Sequence, residues 1–175
     1  MANRIVAGAI AGASGVVALN VVSYLDMLVR GRPASSMPAR AAAKLADEIG
    51  LPLDFEGINA EEGAESDEAD GGDVIAHREE ALGGLLGILN GVAIGVLYGI
   101  VRLILPRPPT WLAGAALGSL AMAAADYPAA RLGVTDPRDW SATDWVADVV
   151  PHMAYGMVTA LTFEATRSNR RQTNK

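Results

Sequence analysis

The sequence predicts an all-α integral membrane protein, built as a four-helix transmembrane bundle with glycine-zipper packing and a long acidic loop. Three observations lead to this fold class. Hydrophobic residues make up 51% of the 175 residues, whereas charged residues make up 19%. The apolar residues gather into four blocks, at 5–29, 81–105, 111–130 and 145–163. Glycine also recurs at every fourth position across the second block.

Each apolar block is long enough to cross a bilayer, since a helix of about 20 residues spans a hydrocarbon core of about 30 Å. The block at 5–29 follows Arg4 and contains small residues, as a cleaved secretory signal does. Its apolar run is longer than the roughly 7 to 15 residues of a signal's apolar region. We therefore expect it to remain as the first transmembrane helix.

The second block carries a glycine at each step of four residues, and this is its most informative feature. The five glycines are Gly83, Gly87, Gly91, Gly95 and Gly99. In water each would cost a helix about 1 kcal/mol relative to alanine. In lipid, small residues four apart form a flat surface on which a neighbouring helix packs. We therefore assign these glycines to helix packing, with self-association through an exposed part of the ridge as an alternative.

The same spacing of small residues recurs in the other three blocks. The pairs are Gly8 with Gly12, Gly114 with Gly118, and Gly156 with Ala160. A compact bundle is the expected result.

The loop at 30–80 is predicted to contain a short amphipathic helix at 38–49. Serines precede it, Pro38 lies in its first turn, and Gly50 follows as a stop signal. Its apolar positions Ala41, Leu45 and Ile49 are four residues apart and share a face. We expect that face to lie on the membrane surface or against the bundle.

The second part of the loop, at 60–73, is rich in acidic residues and has no apolar periodicity. This composition predicts a disordered, solvated stretch. The spacing of a calcium-binding EF-hand loop is missing from it.

The orientation follows from the basic tail at 164–175, which directly follows the last apolar block. Lysine and arginine divide equally between the two sides of the predicted bundle when the tail is counted, and the density of the cluster in the tail decides the prediction that both termini are cytoplasmic. Arginine outnumbers lysine twelve to two and alanine is abundant, which suggests a GC-rich bacterial source. The predicted location is therefore the prokaryotic plasma (inner) membrane, with several passes.

Polar side chains inside the apolar blocks are the candidates for a functional site, because such groups are costly in lipid and need partners. The candidates are Asn20, Asp26, Asn90, Asp126, Tyr127, Asp148, His152 and Tyr155. All except Tyr155 belong to the half of the bundle nearest the acidic loop. This one-sided distribution favours a pocket open to one side over a channel, which would need a polar track across both leaflets.

The fourth block offers the most specific arrangement of these groups. Asp148, His152 and Tyr155 follow each other at helical spacing on one face, and Pro151 loosens the helix beside His152. Asp148 and His152 are one turn apart, so together with Asp126 they could share a proton or bind a divalent metal.

A structural interpretation of the same residues stays open. Asp144 is expected to form a capping box with Ser141, and Asp148 would then only complement the positive end of the helix. His152 would then make no more than a hydrogen bond between helices.

Residues 112–157 contain a helix of small residues with a proline near its end, a "LGVT" linker, a tryptophan-containing approach, and a helix with a histidine and an aromatic residue. This segment resembles the YagU-like family of uncharacterised bacterial inner-membrane proteins. The resemblance implies a multi-spanning membrane protein, with His152 at the matching polar position.

Two classes of function follow from these patterns. The first is a non-enzymatic accessory or interaction protein, with the lipid bilayer, a membrane-protein partner or a second copy as partners. The second is a small transporter or binding protein for a proton, a cation or a small polar solute, using Asp26, Asp126, Asp148 and His152. No nucleophile and base pair or phosphate loop indicates an enzyme, and no cofactor or resident metal is predicted. The absence of cysteine excludes a thiolate metal site, and the net charge of −6 disfavours nucleic-acid binding.

Overall fold

The chain is all α-helical over the residues that the computed structural model describes, 2–54 and 68–173. The helices are α1 (Ala2–Arg30), α2 (Met37–Glu48), α3 (Glu68–Ile104), α4 (Thr110–Arg131) and α5 (Ala142–Thr173). A single 3-10 turn, Pro137–Asp139, lies between α4 and α5. The predicted all-α class is confirmed.

Two of these helices are long and apolar enough to cross a membrane, over Asn3–Arg30 of α1 and Gly72–Ile104 of α3. Only 28% and 22% of their most apolar segments are buried inside the protein. A helix in the core of a soluble protein is mostly buried, so these two helices expose apolar surface that water would disfavour. Among the described residues, α4 and α5 are also long enough, but they are less apolar.

α1 lies between α3 and α5, and α4 packs on α5, while α2 covers part of α3. The hydrophobic core draws buried residues from α1, α3, α4 and α5. Tyr155, Thr159 and Phe163 of α5 are its largest fully buried side chains. Tyr98 of α3 meets Phe163 edge to face, with ring centroids 4.9 Å apart.

Glycine allows two of the helix pairs to approach until their backbones touch. A Cβ atom added at Gly12 of α1 would lie 2.6 Å from the carbonyl oxygen of Gly91 in α3. A Cβ atom at Gly118 of α4 would lie 2.7 Å from the carbonyl oxygen of His152 in α5. Any side chain at these positions would therefore push the helices apart.

The five regularly spaced glycines of α3 do not share one neighbour. Gly91, Gly95 and Gly99 lie against α1, whereas Gly83 lies against Pro38 of α2. A side chain at Gly87 would meet no other element within 4 Å. A step of four residues drifts by about 40° at 3.6 residues per turn, so the ridge winds round the helix and faces successive neighbours.

Of the two placements expected for the face of Ala41, Leu45 and Ile49, packing against the bundle is wrong, whereas placement on the membrane surface stays a prediction. Ala42 and Ala46 are its buried residues, whereas Leu45 and Ile49 are 39% and 67% exposed. Alanine allows α2 to pack closely beside Gly83 of α3, which larger side chains would prevent. The helix therefore lies against the bundle through its small residues.

The ends of α2 follow the predicted signals in part. The helix stops before Gly50, whose φ of +68° is a left-handed conformation that glycine adopts at little cost. The backbone N–H of Leu51 then donates to the carbonyl of Ala46 at 2.8 Å. At the other end, the side chain of Ser36 makes no capping hydrogen bond, and the N–H of Met37 donates to the Ser35 hydroxyl at 3.3 Å.

α3 and α5 are longer than the apolar blocks from which they were predicted. Residues 68–73 of the acidic stretch form the first turns of α3, while residues 60–67 lie outside the described part of the chain. The backbone of α5 continues to Thr173 through most of the predicted basic tail. A charged sequence at a helix end is solvated there and does not stop the helix.

Candidate functional site

The structure brings three of the eight candidate polar residues together, between α4 and α5. Asp126 lies near the end of α4, and Asp148 and His152 lie one turn apart on α5. The chain reverses between these helices, so the end of α4 packs beside the first turns of α5. Asp126 and His152 are only 7% and 9% exposed, and Asp148 is half-buried. These three residues are called the acid–imidazole cluster below.

Within the cluster, Nδ1 of His152 lies 2.8 Å from the backbone carbonyl oxygen of Asp148 and 3.3 Å from its Oδ1. A hydrogen on Nδ1 is therefore shared between two oxygens of one residue. Pro151 has no N–H to donate into the preceding turn, which leaves this part of the helix less tightly bonded. The contact orients the imidazole and places Nδ1 against Asp148.

The carboxyl groups of Asp126 and Asp148 are close enough to interact electrostatically. One oxygen of each, Oδ1 of Asp126 and Oδ2 of Asp148, is buried without any hydrogen-bond partner. An unpartnered carboxylate oxygen is costly to bury, and two neighbouring negative charges repel each other. A proton or a cation between the two groups would relieve both costs.

The described residues contain no group of three histidine, cysteine, aspartate or glutamate side chains placed to hold a metal ion. The metal alternative of the sequence analysis therefore has no supporting geometry in this part of the chain. A proton needs only two neighbouring oxygens as partners, and the cluster has one unpartnered oxygen on each of two carboxyl groups.

Tyr155 lies on the same helix but serves another contact. Its hydroxyl donates to the backbone carbonyl of Gly91 at 2.6 Å, and the residue is 1% exposed. This hydrogen bond ties α5 to α3.

The other four candidates lie apart from the cluster. Asp26 is held by Arg30 at 2.7 Å and by Arg32 at 2.6 Å. Tyr127 follows Asp126 in the chain yet is 66% exposed, because the next residue of a helix points about 100° away. Asn20 and Asn90 are half-buried on α1 and α3.

The predicted capping box at the start of α5 is confirmed. The N–H of Ser141 donates to the Asp144 carboxylate at 2.9 Å, and the N–H of Asp144 donates to the Ser141 hydroxyl at 3.2 Å. The Ser141 hydroxyl, at 2.6 Å, and the Ser141 N–H both donate to this carboxylate and hold the pKa of Asp144 below its usual value. Asp144 is therefore a structural residue.

A second polar group, at the opposite end of the bundle, was missed as a site by sequence reasoning. Arg102 of α3 pairs with Glu164 of α5 at 3.0 Å, and the Arg102 side chain is 3% exposed. Neither residue was among the eight candidate polar residues. The sequence did contain one signal for this pair: Glu164 is the only acidic residue in the otherwise basic segment 164–175.

Comparisons with family models, with curated proteins and with solved structures gave no match. The resemblance of residues 112–157 to the YagU-like family therefore stays a prediction.

Proposed function

We propose that this chain is a small polytopic membrane protein in which α1, α3, α4 and α5 all cross the bilayer. The support is the alignment of the helices. Tyr155 of α5 contacts Gly91 of α3, and Glu164 pairs with Arg102 further along the same two helices. These two contacts keep α5 beside α3 over about 16 Å, roughly half of a hydrocarbon core of about 30 Å, and α4 packs along α5.

The direction of insertion is proposed from the charges at the two ends. Four arginines gather at the end that holds the N-terminus, the α3–α4 connection and the later part of α5. Positive residues are enriched in cytoplasmic segments, so this end faces the cytoplasm, and both termini with it. The bacterial inner membrane is the proposed location.

The function that the geometry supports best is reversible proton binding by the acid–imidazole cluster. One observation carries it: two neighbouring carboxyl groups each bury an unpartnered oxygen beside a histidine. A single proton between Asp126 and Asp148 would give both oxygens a partner, and His152 would accept or release a proton at the same place. This is the binding or transport alternative of the sequence analysis.

The position of the cluster favours exchange with one side of the membrane. Asp126 is near the end of α4 and Asp148 is in the early turns of α5, so both belong to the end away from the termini. The charged pair Arg102 and Glu164 lies at the other end. The two groups occupy opposite ends and do not form one continuous polar track.

A second candidate is a non-enzymatic accessory protein that binds another membrane helix or a second copy of itself. One face of α3 favours it, where Leu85, Ile88 and Leu89 are exposed beside Gly87. In lipid, such a face is covered by acyl chains or by another helix.

Infrared spectroscopy of the protein in liposomes tests proton binding directly, because a protonated carboxyl group has its own C=O band. We expect a protonated-carboxyl band in the native protein at neutral pH, lost in Asp126→Asn and in Asp148→Asn. His152→Gln should shift this band, since it alters the hydrogen bonds of Asp148. The matched control is Asp139→Asn, which changes an exposed aspartate outside the cluster and should leave the band intact.

Circular dichroism and size-exclusion chromatography establish that each variant is folded before its spectrum is compared. Folded variants that lose the band support the proposal. A native protein without the band, or a band that persists in both cluster variants, would refute it. If the protein is instead an accessory protein, we expect no protonated-carboxyl band from the cluster. We then also expect the protein to form a larger assembly in detergent, with a partner or a second copy.

A further inference from the structure

The end of the bundle opposite the acid–imidazole cluster contains an open pocket of about 760 Å³. Four arginines line it, from three different helices and a connection: Arg4, Arg102, Arg107 and Arg167. Glu164 is the only acidic residue among its described lining residues. The described lining therefore contains more positive than negative side chains.

Arg102 shows that the pocket has a fixed donor. Its side chain is 3% exposed, and it is held by Glu164 at 3.0 Å and by the backbone carbonyl of Pro106 at 2.8 Å. These contacts use two of its nitrogens, and the remaining one, Nε, is buried without a hydrogen-bond partner. A buried guanidinium N–H without an acceptor is costly, so its presence beside a pocket indicates an acceptor from outside the chain.

Two further arginines of the lining contact the pair formed by Arg102 and Glu164. The Glu164 carboxylate also accepts from Arg107 at 3.2 Å, and Arg4 donates to the backbone carbonyl of Arg102. Glu164 thus holds two guanidinium groups side by side. Neighbouring guanidinium groups suit phosphate, which has several oxygens and prefers forked donors.

Apolar surface adjoins this basic pocket. A groove of about 260 Å³ between α3 and α4 is lined by Val101 and Pro108, which are the chain neighbours of Arg102 and Arg107. Leu105 and Trp111, on either side of the α3–α4 connection, are 57% and 66% exposed. Exposed tryptophan near a helix end is typical of the membrane interface, where headgroups and acyl chains meet.

From these observations we propose that the arginine pocket binds a phosphate group, and that its source is the headgroup of an anionic phospholipid whose acyl chain follows the groove between α3 and α4. This site goes beyond the proposed proton binding and shares no residue with the acid–imidazole cluster. It depends on placement of the α3–α4 connection at a membrane interface.

Native mass spectrometry of the full chain in nonionic detergent tests the proposal, with phosphatidylglycerol, phosphatidylcholine and inorganic phosphate as separate probes. We expect phosphatidylglycerol to bind more tightly than phosphatidylcholine. Arg107→Gln with Arg167→Gln should reduce this preference by about fivefold for each arginine removed. Arg102→Gln should also reduce it, and the double variant keeps the test valid if the loss of Arg102 prevents folding.

The matched control is Arg40→Gln with Arg131→Gln, which removes two exposed arginines away from the pocket. It should keep the preference for phosphatidylglycerol. Asp126→Asn should keep it as well, which separates this site from the proposed proton site.

Inorganic phosphate distinguishes the two sources of the group. If phosphate does not bind alone at millimolar concentration, the lipid source is supported. If phosphate binds alone, loses affinity in the pocket variant and leaves the two lipids equivalent, the lipid source is refuted and a soluble phosphate takes its place. Equal lipid binding without phosphate binding, or equal losses in the pocket and control variants, would overturn the site altogether.

Discussion

At the scale of single residues, α5 shows how packing alone separates two aspartates with similar sequence surroundings. Asp144 and Asp148 are four residues apart on one helical face. Asp144 is exposed and accepts hydrogen bonds from Ser141, whereas Asp148 is half-buried beside Asp126 and His152. The first interaction is local and the second requires α4. The capping box and the contact of Asp148 with His152 follow from spacing, whereas the approach of Asp126 does not.

The pH dependence of the start of α5 follows from the capping box. The pKa of Asp144 is lowered in the folded protein, so its contribution to stability is present above the pKa of the unfolded chain and is lost as the pH falls through the lower folded value. We expect Ser141→Ala to raise this pKa toward its ordinary value. An NMR titration of the Asp144 carboxyl group measures the shift.

Amide hydrogen exchange in the first turn of α5 provides the structural readout, and exchange should be faster in Ser141→Ala at neutral pH. Thr143→Ala is the matched control, since it removes a hydroxyl from the next turn without touching the cap. An unchanged Asp144 titration in Ser141→Ala would contradict the capping account.

At the scale of whole elements, α3 shows that one sequence repeat can meet several environments. Gly95 touches α1, Gly83 touches α2, and Gly87 faces neither. The repeat predicted a helix with a small-residue ridge, but the drift of the ridge decides which part of it is used. The positions are chemically identical in sequence, and their neighbours differ.

A pair of equal substitutions in α3 tests this difference. A Cβ atom at Gly95 would lie 2.6 Å from the Cα of Gly12, so Gly95→Ala must push α1 away. We expect it to destabilise the protein by about 1–3 kcal/mol, as overpacking does. Gly87→Ala, two turns earlier in the same helix, should be neutral or slightly stabilising. Thermal unfolding in one detergent measures both.

One outcome of comparing Gly95→Ala with Gly87→Ala would contradict this expectation. A larger loss in Gly87→Ala than in Gly95→Ala would show that the open face of α3 is packed in the working protein. That would favour the accessory candidate, with a partner helix on this face.

At the scale of the whole molecule, the two ends of the bundle carry different chemistry. The acid–imidazole cluster lies between α4 and α5 at one end, and the arginine pocket lies at the other. The apolar surface of α1 and α3 is largely exposed between these ends. A bilayer around that surface would separate the two sites by the membrane thickness.

Single introduced cysteines test this arrangement, and the native chain is suited to it because it has none. The positions are Ala34 between α1 and α2, Pro109 before α4, and Asp139 before α5. We expect an impermeant maleimide to label Ala34→Cys and Asp139→Cys in intact cells. Pro109→Cys should react only after permeabilisation.

Ala11→Cys is the buried control and should not react under either condition, since Ala11 is fully buried. Labelling of Asp139→Cys and Pro109→Cys from the same side would show that α4 does not cross the membrane. Labelling of Ala34→Cys and Pro109→Cys from the same side would show that the segment from α2 to α3 does not cross the membrane.

The sequence by itself determined the features that depend on neighbours within a few residues. These are the helical class, the approximate helix positions, the stop at Gly50, and the capping box of Ser141 and Asp144. Helical periodicity, caps and glycine stops are local, since each involves residues within about one or two turns.

Only the tertiary structure decided which faces meet. It placed Ala42 and Ala46 of α2 inside instead of Leu45, and it brought Asp126 to Asp148. It also joined Arg102 to Glu164, residues that are far apart in the chain. Helical spacing says which residues share a face, but the closest packing of several helices selects the partner of that face.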